Sequence, residues 1–241
     1  MRILNGQLVA FLGDSITQHL VAVSDWMETQ TDGLPPVGTS VVVDRHENRG
    51  WTNLLESRIH LSYPERIIRY LNAGIGGYSS RQMLARFEAD ILAHHPQWLL
   101  LSAGVVEVRR TYQPEREQDR VPLDEYRTNL LTMTSKARNA GIRVILLEPT
   151  PHARSVTDGP PDVTLEEVNT LTQQYAEGMR QVAHETGAGF VPLFEKFLEI
   201  EHRLKGRASL ASLYADEVHL GSKGDLLYSQ LVYQYLDSDS F

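Results

Sequence analysis

Apolar residues fall in short solid runs along this chain, with longer stretches of three- and four-residue spacing between them. Leu8 to Leu12, Trp98 to Ser102 and Ile142 to Leu147 are almost uninterrupted. Runs of this kind predict strands covered on both faces. Arg66 to Leu71, dense in Ile and Tyr, and the short Gly189 to Pro192 add two more strands. Between the runs the period is helical. Trp51, Leu54, Leu55 and Ile59 share one face of a helix over Trp51 to His60. Met83, Leu84, Phe87 and Ile91 form the apolar stripe of another, from about Ser79. Leu123 to Ala140 predicts a helix stopped by Gly141, and Thr164 to Thr186 a long one stopped by Gly187. Leu193 to Leu204 and Ser222 to Leu236 are the last two, and Ile16 to Val23 begins one near the start.

The remainder reads as connection. Thr29 to Ser40, rich in Thr, Gly and Pro, is a loop with the apolar island Val41 to Val43 at its end. Arg109 to Val121 and His152 to Pro161 are also loops, and Ser209 to Gly221 is irregular. Strand and helix alternate about five times, which predicts one parallel sheet with helices on both faces. The expected class is α/β, a three-layer α/β/α sandwich forming a single domain over residues 1–241. There is no internal repeat, low-complexity tract or linker.

Composition narrows the partners. Hydrophobic residues make up 41% and charged residues 22%, enough for a full core. A formal charge of −8 argues against a general nucleic-acid surface or an anionic membrane. With no cysteine there are no disulfides, thiolate metal sites or thiol nucleophiles. Met1-Arg2-Ile3-Leu4 gives way at once to Asn5-Gly6-Gln7, so no signal peptide is expected. No run approaches the roughly 20 apolar residues of a membrane span. A soluble, cytoplasmic protein is expected.

Chemistry gathers at the strand ends. Gly13-Asp14-Ser15, Gly74-Ile75-Gly76-Gly77 and Gly104-Val105-Val106-Glu107 each follow a predicted strand. In a parallel sheet all three emerge on one edge, where open α/β sheets bind ligands. Ser15 is a candidate nucleophile there, though Ser15 and Asp14 also suit helix capping. A serine hydroxyl needs a base, and the base needs a partner that fixes its tautomer. His219 and Asp216, three residues apart before the last helix, supply both from one loop. The same pair also fits ordinary helix-flanking positions.

Together these segments resemble the SGNH (GDSL) hydrolases, a family of serine esterases and lipases. Gly13-Asp14-Ser15-Ile16-Thr17 resembles its first block, Asn72-Ala73-Gly74-Ile75-Gly76-Gly77 its second, and Asp216-Glu217-Val218-His219 its last. Arg49-Gly50-Trp51 resembles the family's helix start after the first crossover. The resemblance implies a flavodoxin-like fold around a five-stranded parallel sheet, with a shallow site at the carboxyl edge. It implies ester hydrolysis through an acyl-serine, with Ser15, His219 and Asp216 as the triad. It places the oxyanion hole at the backbone N–H groups of Ser15 and Gly77, and it implies neither metal nor organic cofactor.

One position departs from the pattern. The family's third block is Gly-x-Asn-Asp, and its asparagine donates to the oxyanion. Here Val106 stands at that place and has no donor. Losing one such donor typically costs about 100- to 1,000-fold in turnover. Arg109, Arg110, Asn72 and His152 are candidates for a replacement. Asp14, Asn72, Val106 and Arg109 are candidate substrate contacts, with Arg109 and Arg110 equally readable as solvated charge. Glu148, Trp26, Tyr78 and Tyr112 are further candidates near the site. His94-His95, before Pro96, reads as helix-end surface.

The expected partner is a small-molecule ester with a small or medium acyl group, such as an acetylated carbohydrate or a lysophospholipid. Homo-oligomerisation is compatible with the sequence. Two other readings stay open: a ligand-binding protein on the same fold with weak or no catalysis, and a metal-dependent phosphoesterase using Asp14, Asn72, Asp216 and His219.

Overall fold

The structure is a computed structural model, and it describes residues 1–18, 50–204 and 209–238. The rest of the Ile16 to Val23 helix, the Thr29 to Ser40 loop, the Val41 to Val43 island, Trp26 and Arg49 lie outside those residues.

Five parallel strands form the sheet: β1 (Leu8–Gly13), β2 (Arg69–Gly74), β3 (Trp98–Ser102), β4 (Arg143–Leu147) and β5 (Gly189–Val191). Their order is β2-β1-β3-β4-β5. This is the flavodoxin-like doubly wound arrangement, with its switch point between β1 and β3. The helices are α1 (Ser15–Gln18), α2 (Trp51–Ser62), α3 (Ser80–Asp90), α4 (Val105–Thr111), α5 (Leu123–Asn139), α6 (Leu165–Thr186), α7 (Leu193–Leu204) and α8 (Ser222–Asp237).

Alternate strand residues feed two cores. Val9, Phe11, Leu100, Ile145 and Val191 enter one, with Trp51, Leu55 and Ile59 of α2, Phe197 of α7 and Tyr228 and Val232 of α8. Phe11 meets Trp51 edge-on at 5.4 Å, and Trp51 stacks on Tyr228 at 4.5 Å. Ala10, Leu12, Leu99, Leu101, Val144 and Leu146 enter the other, with Met83 and Phe87 of α3, Leu130 and Met133 of α5 and Met179 and Val182 of α6. Burial on both faces explains the lack of alternation in these runs.

Two expectations are corrected. The second strand runs from Arg69 to Gly74, later than Arg66 to Leu71. Parallel pairing with β1 sets its limits: Leu8 lies beside Arg69, Phe11 beside Asn72 and Gly13 beside Gly74. Arg109 to Val121 is not all loop either. Arg109 to Thr111 completes α4, and Pro114–Asp119 forms a 3-10 turn. Three β-branched valines disfavour a helix here, but a buried carboxylate at Glu107 holds its start. It accepts from Gly104 N at 3.0 Å and, across the loops, from Ser80 N at 2.5 Å. The irregular Ser209 to Gly221 segment contains the 3-10 turn Leu210–Leu213 and an antiparallel bridge between Tyr214 and Leu220.

The β1–α1 turn is packed against the end of β2. A Cβ on Gly74 would lie 2.5 Å from Gln18 N and 2.8 Å from Thr17 C, both backbone atoms. We therefore expect Gly74→Ala to destabilise the protein by about 1–3 kcal/mol, the usual cost of overpacking. Because the atoms displaced belong to α1, any activity that depends on the turn at Ser15 should fall more than the loss of folded protein accounts for. Urea unfolding alongside initial rates checks both.

Candidate active site

Ser15 begins α1 directly after β1 and the Gly13-Asp14 turn. The turn is tight: a Cβ on Gly13 would stand 2.2 Å from Thr17 Oγ1. Asp14 holds it by accepting from Ile16 N at 2.9 Å. Asn72 ties the neighbouring strand end, donating to Thr17 O and accepting from Gly74 N, each at 2.9 Å. These side chains spend their hydrogen bonds on the backbone beneath Ser15.

His219 and Asp216 arrive on the loop between Tyr214 and Leu220. Within it, Ala215 N donates to His219 O at 2.8 Å. The loop is also clamped to the segment after β4. Ala153 N donates to Glu217 O at 2.8 Å, and the Tyr214 hydroxyl donates to Pro151 O. So held, His219 Nε2 lies 2.9 Å from Ser15 Oγ and Nδ1 lies 2.7 Å from Asp216 Oδ2. An ionised carboxylate only accepts, so Nδ1 carries the proton and Nε2 accepts from the hydroxyl. Asp216 Oδ1 accepts from Val218 N at 2.8 Å and His219 N at 2.7 Å. Burial pushes the Asp216 carboxyl up. The imidazole and the two backbone donors outweigh that and hold it well below the usual carboxylate range. The geometry suits general-base activation of a serine.

Beside the pair lies a cavity of about 280 Å³, lined by Ser15, His219, Gly77, Val106, Arg109 and Arg110 among others. Gly77 takes a left-handed φ of +73°. Neither its N–H nor that of Ser15 donates to another group among the described residues. Both remain available to an incoming oxygen. Val106 presents only methyl groups. A larger cavity, about 430 Å³, runs along α6 and is lined by none of Ser15, Asp216 and His219.

Several other candidates are spent elsewhere. Arg109 is paired with Asp158 at 3.2 Å and Glu217 at 3.0 Å on the cavity wall. His152 is fully buried beside Thr172 Oγ1 at 3.3 Å, and burial pushes its pKa down to about 3. Glu148 lines the larger cavity and not the one beside Ser15; it accepts from Phe194 N at 2.8 Å at the start of α7, and burial raises it to about 7. Tyr78 is buried and Tyr112 packs against the α6-side core. His94 and His95 sit at a 3-10 helix end, with His95 left-handed. Among the described residues, no group of three or more His, Asp or Glu is arranged to hold a metal ion. Sequence reasoning missed the partners of the arginines, Asp158 and Glu217, and the bracing by Glu107. Only Glu107 carried a signal, a carboxylate three residues after the strand-end Gly104.

The chain matches the GDSL-like Lipase/Acylhydrolase family over residues 11–226. It belongs to that family. The esterase is 27% identical over 231 residues to the acetylxylan esterase of Geobacillus stearothermophilus, covering 95% of this chain and 94% of that one. It is 25% identical over 205 residues to the human isoamyl acetate-hydrolyzing esterase 1 homolog, covering 80% and 77%. A crystal structure of the Geobacillus stearothermophilus acetylxylan esterase superposes with a TM-score of 0.77 at 26% identity, covering 99% and 98%. The protein is thus a carboxylic ester hydrolase. No helix among the described residues is long and apolar enough to cross a membrane.

Asp14 gives a pH test of this turn. Burial, with Glu107 adding repulsion, raises its carboxyl to about 6. A raised folded pKa favours the protonated form. Its stability contribution is therefore complete below the unfolded value near 3.8 and lost as pH rises through 6. Asp14→Asn keeps the acceptor for Ile16 N and removes the titration. Relative to that variant, the unaltered enzyme should lose about 2 kcal/mol between pH 4 and pH 7, most of the full shift at about 1.36 kcal/mol per unit. Denaturant unfolding at several pH values measures the difference.

Proposed function

We propose that one domain spanning residues 1–241 hydrolyses small-acyl esters through Ser15, His219 and Asp216. The observation that carries this reading is the 2.9 Å approach of His219 Nε2 to Ser15 Oγ, backed by the 2.7 Å contact to Asp216. His219 takes the hydroxyl proton as Oγ attacks the carbonyl carbon. The carbonyl electron pair moves onto oxygen, which meets the N–H groups of Ser15 and Gly77. His219 then protonates the leaving alkoxide, and the acyl-serine is released by water activated on the same imidazole. Asp216 holds the ring and balances its transient positive charge.

The acyl group is small. A cavity of about 280 Å³ is at the lower limit of ligand sites. The alcohol portion is neutral and polar. Arg109 is balanced by Asp158 and Glu217, and Arg110 and Arg116 by Asp119, so the rim carries hydrogen-bonding groups with little uncompensated charge. Acetylated carbohydrate fits this chemistry better than a lysophospholipid, and the Geobacillus relative is an acetylxylan esterase.

Purified enzyme should hydrolyse p-nitrophenyl acetate, and Ser15→Ala should lower the rate by about four orders of magnitude or more. A Ser15→Ala rate equal to that of the unaltered enzyme would overturn the assignment. Against a series of p-nitrophenyl esters, kcat/KM should fall steadily from acetate to decanoate. Acetylated xylooligosaccharides should release acetate under the same conditions.

A further inference from the structure

Val106 leaves the cavity without the side-chain donor expected at its position, while three arginines line the same cavity. Two of them are held away from the reacting centre. Arg109 bridges Asp158 and Glu217, and Arg116 Nε is 2.6 Å from Asp119. Arg110 is different. It is buried, and its Nη2 donates to the Gly77 carbonyl at 2.7 Å. The same nitrogen stands 3.8 Å from the point where a Cβ on Gly77 would project. Nη1 is anchored 3.0 Å from Asp119, so the guanidinium is held from two sides.

Gly77 is the glycine whose N–H faces the substrate oxygen in the reading above. Its left-handed backbone is open to the widest range of alternatives of any residue type. A charged donor on its carbonyl restricts that range and keeps the N–H aimed. The guanidinium also lines the cavity, so its charge, shared with Asp119, acts there at short range.

We propose that Arg110 takes over the service of the missing asparagine: it positions the Gly77 N–H and sets positive charge beside the developing oxyanion. This rests on the hydrolytic reading of Ser15 and His219. No proton moves to or from Arg110. As the bond from Ser15 Oγ to the carbonyl carbon forms, negative charge grows on the carbonyl oxygen near the guanidinium. As the tetrahedral intermediate collapses, that electron pair re-forms the C=O bond, the bond to the leaving oxygen breaks, and His219 gives that oxygen its proton. Arg110 is a positioning residue acting through Gly77, with a through-space electrostatic share.

The test compares Arg110→Met, Arg110→Lys, Val106→Asn and the Val106→Asn/Arg110→Met double variant on p-nitrophenyl acetate. Binding of a boronic acid transition-state analogue and thermal unfolding are followed for each. Arg110→Met should lower kcat about 10- to 100-fold, with KM within about threefold and the analogue bound weaker by the same factor as kcat. Arg110→Lys, which keeps the charge without the two-sided grip, should fall between. Val106→Asn should raise kcat more in the Arg110→Met background than alone, because the restored donor fills the same gap. Unchanged kcat in Arg110→Met overturns the inference, as do equal gains from Val106→Asn in both backgrounds. A loss of kcat that only follows a lowered unfolding temperature, and that Val106→Asn does not rescue, also overturns it. Should Arg110→Met not fold, Arg110→Lys decides: a lower kcat at constant KM and unfolding temperature supports the inference, and constant kcat overturns it. Loss of the hydrolytic reading shows separately, as absence of Ser15-dependent turnover in the unaltered enzyme.

Discussion

The contact between His219 and Ser15 depends on a loop that has little structure of its own. Tyr214 to Leu220 is closed by a single bridge and stitched to residues 151–153 after β4. The stitches are backbone bonds and one tyrosine hydroxyl, so they fix the path of the main chain whatever the intervening side chains do. The imidazole is then oriented within the loop, by Asp216 receiving three donors at once: the ring and two backbone N–H groups. A carboxylate so loaded stays ionised and keeps the ring in one tautomer. The acid-base half of the site is thus built on β4, on the opposite side of β3 from the strand that carries Ser15.

The turn that carries Ser15 is held from below by side chains bonded to the backbone. Asn72 binds α1 to the end of β2, and Glu107 binds the start of α3 to the start of α4. Burial raises the pKa of both Asp14 and Glu107, and backbone N–H groups are donors to each carboxyl. An unpaired buried carboxyl is costly. Its use here suits a requirement that three adjacent turns keep one relative geometry, which apolar packing alone would not specify. The free N–H groups at Ser15 and Gly77 belong to the turns so fixed.

Most of the layout was legible in the residues. Solid apolar runs marked the strands because both faces of a parallel sheet are covered, and the helix stops at Gly141 and Gly187 hold, both in positive φ. Ser15, Asp216 and His219 stood out through their resemblance to the family's blocks, and the structure brings them within hydrogen-bond reach of one another. What sequence did not give was long-range pairing. The register of β1 on β2, which carries the second strand on to Gly74, depends on a partner some sixty residues away. The helix at Val105 to Thr111 runs against the local propensity of its valines and is imposed by Glu107 reaching Ser80. Whether Arg109 faced substrate or solvent was open in the sequence, and the answer lay in Asp158 and Glu217, in other segments. Asn72, expected near the substrate, is turned into the backbone instead.

Ser15 and its imidazole are 204 residues apart along the chain. A ribosome working at about 5–20 residues per second therefore delivers the serine some 10–40 s before the histidine. During that interval β1 and its neighbours are free to pair, yet Ser15 lacks the imidazole that the proposed mechanism requires. On that mechanism, hydrolytic competence is switched on in a single event, when the last loop emerges and docks against the segment after β4. A nascent chain working by that mechanism is kept from attacking esters in its surroundings until the whole sheet is in place behind it.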